Sequence, residues 1–324
     1  MVVKWHGVES SMRILNCGGP QGALWGILEY LSQSNNNTDF ISPNRKFKFI
    51  DDLSILEIIN LLSIGMSSYS FTHHVASDIP ENGYFISPGN LETQQHVQKI
   101  SDWTTENQMQ LNSKKTKAMI FNFQFSTRLE LENDVTEILR ETKLLGVIIN
   151  DQLTWDSNTH SLVKRSNARM RLLHKLVVFS IPHDDLLTIY VLYIRSILAQ
   201  SCQVWHSGLT LENITDLERV QKNALKIILK EGYVSYEKAL EKTNLESLHD
   251  RRVTLCLKIA KACTKASQVK DLFPINKQAD LNFQFPEKYQ VTMARTDRLK
   301  DSAVPYMQRL LNEDFLNQEK KKRK

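Results

Sequence analysis

Two adjacent carboxylates, Asp51 and Asp52, interrupt the apolar run 46-KFKFIDDLSIL-56. Like charges side by side are costly unless they stand in a solvated turn or hold a cation. Phe47, Phe49, Ile50, Leu53 and Ile55 surround the pair in a strand-like pattern, so the carboxylates fall where that strand continues or turns. Either they form an ordinary hairpin tip, or they supply oxygen ligands for a hard cation. Upstream, 18-GGPQGALWGILEYL-31 joins a glycine-rich step to an apolar helical stretch. Such a loop lets backbone approach another molecule closely, and amides at a helix start can face an anion. A plain turn followed by a helix would look the same.

The elements that must hold these residues differ along the chain. Residues 1–150 are mixed. Strand-like patches occur at 46–50, 118-AMIFNF-123 and 144-LLGVII-149, with a helical pattern over 91–109 that spaces Leu91, Val97, Ile100 and Trp103. Asn35–Thr38 and 78-DIPENGYFISPGN-90 read as loops. Residues 151–231 read as three helices. The first spans about 157–179, with Leu162, Met170, Leu173 and Leu176 inward. The second spans 184–200, opened by Pro182, Asp184 and Asp185. The third spans about 211–230, with Ile214, Leu217, Val220, Ala224 and Ile228 on one face. Arg219, Lys222, Lys226 and Lys230 recur on nearly the opposite face. Residues 232–324 read as a basic helical region ending in a disordered, charged tail, 319-EKKKRK-324.

Composition narrows the class. With 324 residues and 41% hydrophobic content, the chain can bury one large core or two ordinary ones. A net charge of +5 and a pI near 8.9 suit an acidic partner without requiring one. Cys17, Cys202, Cys256 and Cys263 are scattered and form no C-x-x-C pair, which points to a reducing compartment. The segment 186-LLTIYVLYIRSIL-198 contains Arg195 and falls short of the roughly 20 apolar residues of a membrane span. No apolar leader pattern occupies the first residues. The expectation is an intracellular protein, in the nucleus or the cytoplasm, with the basic tail Lys320–Lys324 leaning toward the nucleus.

In order along the chain, these pieces resemble the palm of a non-LTR (LINE-type) retrotransposon reverse transcriptase. Gly18–Gly22 match its G-G-x-Q-G loop, and Phe49-Ile50-Asp51-Asp52 its aromatic-x-Asp-Asp hairpin. Leu111-Asn112 through Lys115-Thr116 match its L-N-x-x-K-T segment. Leu145-Gly146-Val147 and Leu153-Thr154-Trp155 match its closing L-G-V and L-T-W marks. The likeness covers about residues 5–155; the later helices fit the family's thumb and connection loosely. It implies an α+β fold, with a palm of antiparallel sheet and helices over 1–150, a helical thumb-like region over 151–231 and a helical basic region over 232–324. It implies RNA-directed DNA synthesis with Mg²⁺, Mn²⁺ being an alternative, on an RNA template and DNA primer. Two such ions, about 3.5–4 Å apart, stabilise the attacking and leaving oxygens at phosphorus. By this resemblance Asp51 and Asp52 are the metal and catalytic carboxylates, and Lys115 is the cation near the leaving phosphates. Phe49 packs near the sugar. Gly18, Gly19, Gln21 and Gly22 position template and nucleotide. Arg219, Lys222, Lys226 and Lys230 track the nucleic-acid backbone.

One part of the family pattern is missing. Its other metal-binding aspartate lies upstream of the glycine loop in a D-x-x-x-A-F type segment, whereas the first aspartate here is Asp39. The expectation is therefore a truncated polymerase fragment that does not synthesise DNA alone, with a non-catalytic nucleic-acid-binding remnant as the alternative. Residues 158–207, ending in 202-CQVW-205, also resemble a short segment associated with AlkB-homologue RNA-modifying proteins. Those enzymes hold Fe(II) with H-x-D…H. His183 and Asp185 fit the first half and His206 or His249 the second, but His183 falls at a helix start. His73, His74 and Asp78 lack a fourth candidate ligand, and Trp155 and Trp205 read as core anchors.

Overall fold

The computed structural model describes residues 4–5, 8–9, 46–49, 52–55, 57, 84–85, 92–107, 111–121, 125–126, 129–131, 134–266, 269–276 and 287–322. The protein is α+β and mostly helical. It forms two compact units, Met1–Leu139 and Arg140–Lys324.

In the first unit, strands β1 (Lys4–Trp5) and β2 (Val8–Glu9) pair antiparallel. Strands β3 (Lys46–Phe49) and β4 (Asp52–Ile55) form the hairpin expected around the two aspartates, with Phe49 opposite Asp52. Within the stretch 78–90, expected as loop, β5 (Tyr84–Phe85) pairs parallel with β7 (Phe125–Ser126). A three-stranded sheet joins β6 (Lys117–Ala118), β9 (Asp134–Ile138) and β8 (Leu129–Leu131) in the order β6-β9-β8. The strand expected over 118–123 is cut to Lys117–Ala118, and residues 119–121 leave the ladder. Helix α1 (Glu92–Glu106) buries Ile100, Ser101 and Thr104. Its start is held from the segment after β4. The Glu57 carboxylate accepts hydrogen bonds from the backbone N–H of Glu92 (3.0 Å) and Thr93 (2.9 Å) and from Thr93 Oγ1 (2.6 Å). An acidic group there satisfies orphan donors and complements the helix dipole.

The second unit opens with the hairpin β10 (Glu141–Leu144) and β11 (Val147–Asn150). The run 144–149 is thus two strand ends rather than one strand. Leu145 and Gly146 both take positive φ, 47° and 89°, as a two-residue hairpin loop with a type I′ twist requires. Asn150 then closes the next turn, accepting from Thr154 N–H through Oδ1 and donating to Thr154 Oγ1 through Nδ2. Helix α2 (Asp156–Val178) follows, and Asn158 Oδ1 ties it back to the Ile148 N–H at 3.2 Å.

A single apolar run then forms α3 (His183–Ile189), a π-helical turn (Tyr190–Arg195) and α4 (Ser196–Leu198). The short α5 (Cys202–Trp205) and the long α6 (Leu211–Leu229) complete the segment. Thr210 caps α6 by accepting from the Asn213 N–H, and Asn213 Nδ2 donates to Asp156 at 2.8 Å, which joins the starts of α2 and α6. Beyond lie α7 (Tyr236–Thr243), α8 (Leu248–Cys263), α9 (Asp297–Lys300) and α10 (Ala303–Lys322). Residues 319–322, expected as part of a disordered tail, complete α10.

The core of this unit gathers Leu162, Leu173, Leu186, Ile194, Leu198, Leu217 and Leu248 around Trp205. Trp205 is fully buried and its indole N–H donates to the Gln200 carbonyl at 2.9 Å. Trp155 is half-buried against Gly208, where a Cβ would come within 2.7 Å of the indole nitrogen. Both tryptophans are the core anchors that the sequence suggested. Among the described residues, no helix is long and apolar enough to cross a membrane.

Candidate nucleic-acid interface

Helix α6 shows how one amphipathic element builds a charged face. Leu217, Val220, Ala224 and Ile228 are buried as their 3–4 spacing requires, and Gln221 and Leu225 join them. At about 100° per residue the opposite side falls to Arg219, Lys222 and Lys226, all exposed, and exposed Lys230 follows at the cap. Arg219 pairs with Asp216 at 2.8 Å, so part of its charge is already balanced. The two central lysines are held differently. Lys222 Nζ lies 5.0 Å from the centre of the Tyr236 ring, and Lys226 Nζ lies 5.6 Å from that of Tyr233. A cation over a ring keeps its charge at the surface while its stem covers apolar area.

Helix α2 packs along α6 and adds a second wall. Between them runs a groove of about 360 Å³, with Asn167, Met170 and His174 on one side and Asn223, Lys226 and Ile227 on the other. The sequence reading assigned only inward positions to α2 and missed this wall. Its signal was Asn167 and His174 recurring seven positions apart beside Met170, which places them on one helix edge. Away from the core, α2 exposes Lys164, Arg171 and Lys175. The groove is open and mixed in lining, with Met170 and Ile227 beside Asn167, His174 and Asn223 and with Lys226 as its one lysine; the charge that suits a phosphate backbone lies on the exposed face of α6 beside it.

In the first unit, Asp52 opens β4 opposite Phe49; the side chains of these two residues, and the whole of Asp51, lie outside the described residues. Gly18, Gly19, Gln21 and Gly22 also lie outside them, as do His73, His74 and Asp78. Lys115 is exposed in a turn organised by Asn112, whose Oδ1 accepts from the Lys115 N–H at 3.1 Å and whose carbonyl accepts from the Thr116 hydroxyl at 3.0 Å. The L-N-x-x-K-T segment is therefore a polar turn leading into β6.

Among the described residues, no group of three or more His, Cys, Asp or Glu side chains converges to hold a metal ion. That includes His183, Asp185, His206 and His249. His183 and Asp185 are exposed on α3, whereas His206 is buried and accepts a hydrogen bond from Arg252 Nε at 3.2 Å. No family model matches the chain, and no curated protein or solved structure matches it.

Proposed function

We propose that the protein binds nucleic acid through phosphate contacts on the second unit, in a chain laid out like a non-LTR reverse transcriptase. The observation that carries the reading is the exposed face of α6, where Lys222 and Lys226 are held over aromatic rings beside the groove with α2. Backbone recognition of this kind is sequence-tolerant and driven by counterion release. It needs basic side chains along one track and has no need of a deep pocket. RNA and DNA are both within its chemistry.

The test is fluorescence anisotropy with labelled RNA, DNA and RNA–DNA hybrid oligonucleotides over a salt series. Affinity is expected to fall steeply with salt, and the Lys222→Ala/Lys226→Ala variant is expected to lower the log–log slope by roughly 1–2, near 0.9 per lost phosphate contact. Binding that ignores salt, or a slope unchanged in the double variant, overturns the reading.

A second reading, nucleotidyl transfer, is favoured by the hairpin register that sets Asp52 opposite Phe49. In it Asp51 and Asp52 would hold Mg²⁺, and Mn²⁺ could replace it. The ion supplies charge stabilisation at phosphorus. Phosphate binding by the second unit does not depend on this hairpin, so the two readings are tested separately. Primer extension on an RNA template that disappears in Asp51→Asn would establish synthesis.

A further inference from the structure

The seam between α2 and the α3–α4 run is an exposed surface that the nucleic-acid reading does not use. Two hydrogen bonds fix its antiparallel register: Arg165 Nη2 to Gln200 Oε1 at 2.7 Å, and Arg169 Nη1 to the Tyr193 carbonyl at 2.6 Å. Arg169 also lies over the Tyr193 ring, 4.3 Å from its centre. Counted antiparallel from those two bonds, Leu172 corresponds to about Ile189 and Leu176 to about Asp185. Along α2, Arg165, Arg169, Leu172 and Leu176 follow one another at 3–4 spacing and share one helix face. This is a different edge from the one that Asn167 and His174 give to the groove.

The middle of this seam is apolar and exposed. Leu192 is 70% exposed, Tyr193 50% and Leu172 42%. These residues sit on the middle of well-formed helical elements and not on loop tips, and clustered apolar exposure of this kind marks a contact surface. The two ends carry opposite charge. At one end are the guanidinium groups of Arg165 and Arg169, each with five N–H donors and spending one on the seam. At the other is Asp185, exposed and without an ion-pair partner among the described residues.

A surface that reads positive, apolar, negative along one line is complementary to itself after a two-fold rotation about its middle. We propose that this seam is an isologous dimer contact, with a second copy of the chain as its occupant. In that contact Leu172, Leu192 and Tyr193 meet their counterparts near the axis, and Arg165 and Arg169 of each copy face Asp185 of the other. A phosphate backbone suits the seam poorly, because its centre offers leucines and one end repels an anion. A uniformly acidic partner is disfavoured by that same end.

Sedimentation analysis of the full chain from low to high micromolar concentration tests the proposal. The expected result is a reversible dimer of the 37.5 kDa chain. Leu192→Glu is expected to leave a monomer with an unchanged circular dichroism spectrum, since the side chain is exposed. Asp185→Arg is expected to weaken association about tenfold, and Asp185→Glu, which keeps the charge, to retain it. A monomer at every concentration overturns the proposal. So does a dimer that survives Leu192→Glu, or an Asp185→Arg variant that associates as the wild-type protein does.

Discussion

Tyr190 and Arg195 meet on one atom. Gln221 Oε1 accepts from the Tyr190 hydroxyl at 2.8 Å and from Arg195 Nε at 3.2 Å. In a regular α-helix residues i and i+5 point about 140° apart, so they could not share an acceptor. The π-helical turn Tyr190–Arg195 widens the helix and brings both onto the buried side. Arg195 Nη2 then donates to the Glu246 carbonyl at 2.8 Å, while Gln221 Nε2 donates to Tyr236 Oη at 2.9 Å and to Glu246 O at 3.1 Å. Tyr236 in turn donates to Glu218. Burial, ahead of any charge, raises the Tyr190 phenol far above its ordinary range and lowers the Arg195 guanidinium, whose next cause is Arg251. The network holds the α3–α4 run, α6 and the start of α8 together.

Replacing Gln221 by Leu keeps the volume and removes the shared acceptor. Tyr190 and Arg195 lose a partner in a place water does not reach, and each orphaned buried group costs about 1–3 kcal/mol. The expected loss is roughly 3 kcal/mol in urea-induced unfolding. A loss below about 0.5 kcal/mol, the size of an ordinary surface change, would mean that the network contributes little.

Two glycines predict different costs. An alanine Cβ at Gly208 would lie 2.7 Å from Trp155 Nε1 and 2.9 Å from Cδ1, atoms of a rigid ring that packs toward the core. At Gly146 the nearest atom is Gln200 Nε2 at 2.8 Å, the end of a flexible side chain, although φ of 89° adds strain. Gly208→Ala is expected to cost about 2–3 kcal/mol as overpacking, and Gly146→Ala about 1–2 kcal/mol. Equal unfolding midpoints for the two variants would contradict this ordering.

At the start of α8 the Ser247 hydroxyl accepts from the Asp250 N–H at 3.1 Å and pairs with the Asp250 carboxylate at 2.7 Å. Ser247→Ala removes this cap and is expected to cost about 1 kcal/mol, with Ser247→Thr, which keeps the hydroxyl, retaining most of the stability. Thermal unfolding of the two variants separates a cap from a passive surface serine.

Some of this was legible in the sequence. Helix α6 could be placed because its apolar residues repeat at helical spacing behind Thr210, and its basic stripe followed from the same wheel. The hairpin at Leu145–Gly146 was hidden, since a Leu–Gly loop lacks the usual Asn–Gly turn signal and the run 144–149 is apolar straight through it. The π turn was hidden as well, because 186–198 reads as one apolar helix whatever its hydrogen-bond register. The second wall of the groove escaped because Asn167 and His174 acquire meaning only when α6 lies beside them. Gln221 and Glu246 are likewise unremarkable until the fold brings them to Arg195.

His206 supplies a pH dependence. Burial, then the neighbouring Arg252 charge and then His249, hold its imidazole down to about 4. Arg252 is fully buried, its Nε donates to His206 Nδ1, and its two Nη groups have no hydrogen-bond partner among the described residues. Protonating His206 would remove the one acceptor that Arg252 has and set two cations side by side; the rings of His249 at 5.3 Å and Tyr306 at 5.5 Å offer no carboxylate in exchange. In the unfolded chain the imidazole titrates near its ordinary value of about 6.5. Between these two values the unfolded state binds the extra proton, so stability is fully present above about pH 6.5 and falls as pH drops toward 4. The loss from this group is expected to be roughly 2–3 kcal/mol across that window. Below it His206 contributes no further change, and carboxylate protonation takes over. Urea unfolding at a series of pH values is expected to show this slope in the wild-type protein. The slope is expected to be shallower in His206→Gln, whose side-chain oxygen can accept from Arg252 without titrating. Parallel curves for the two proteins would place the pH dependence elsewhere.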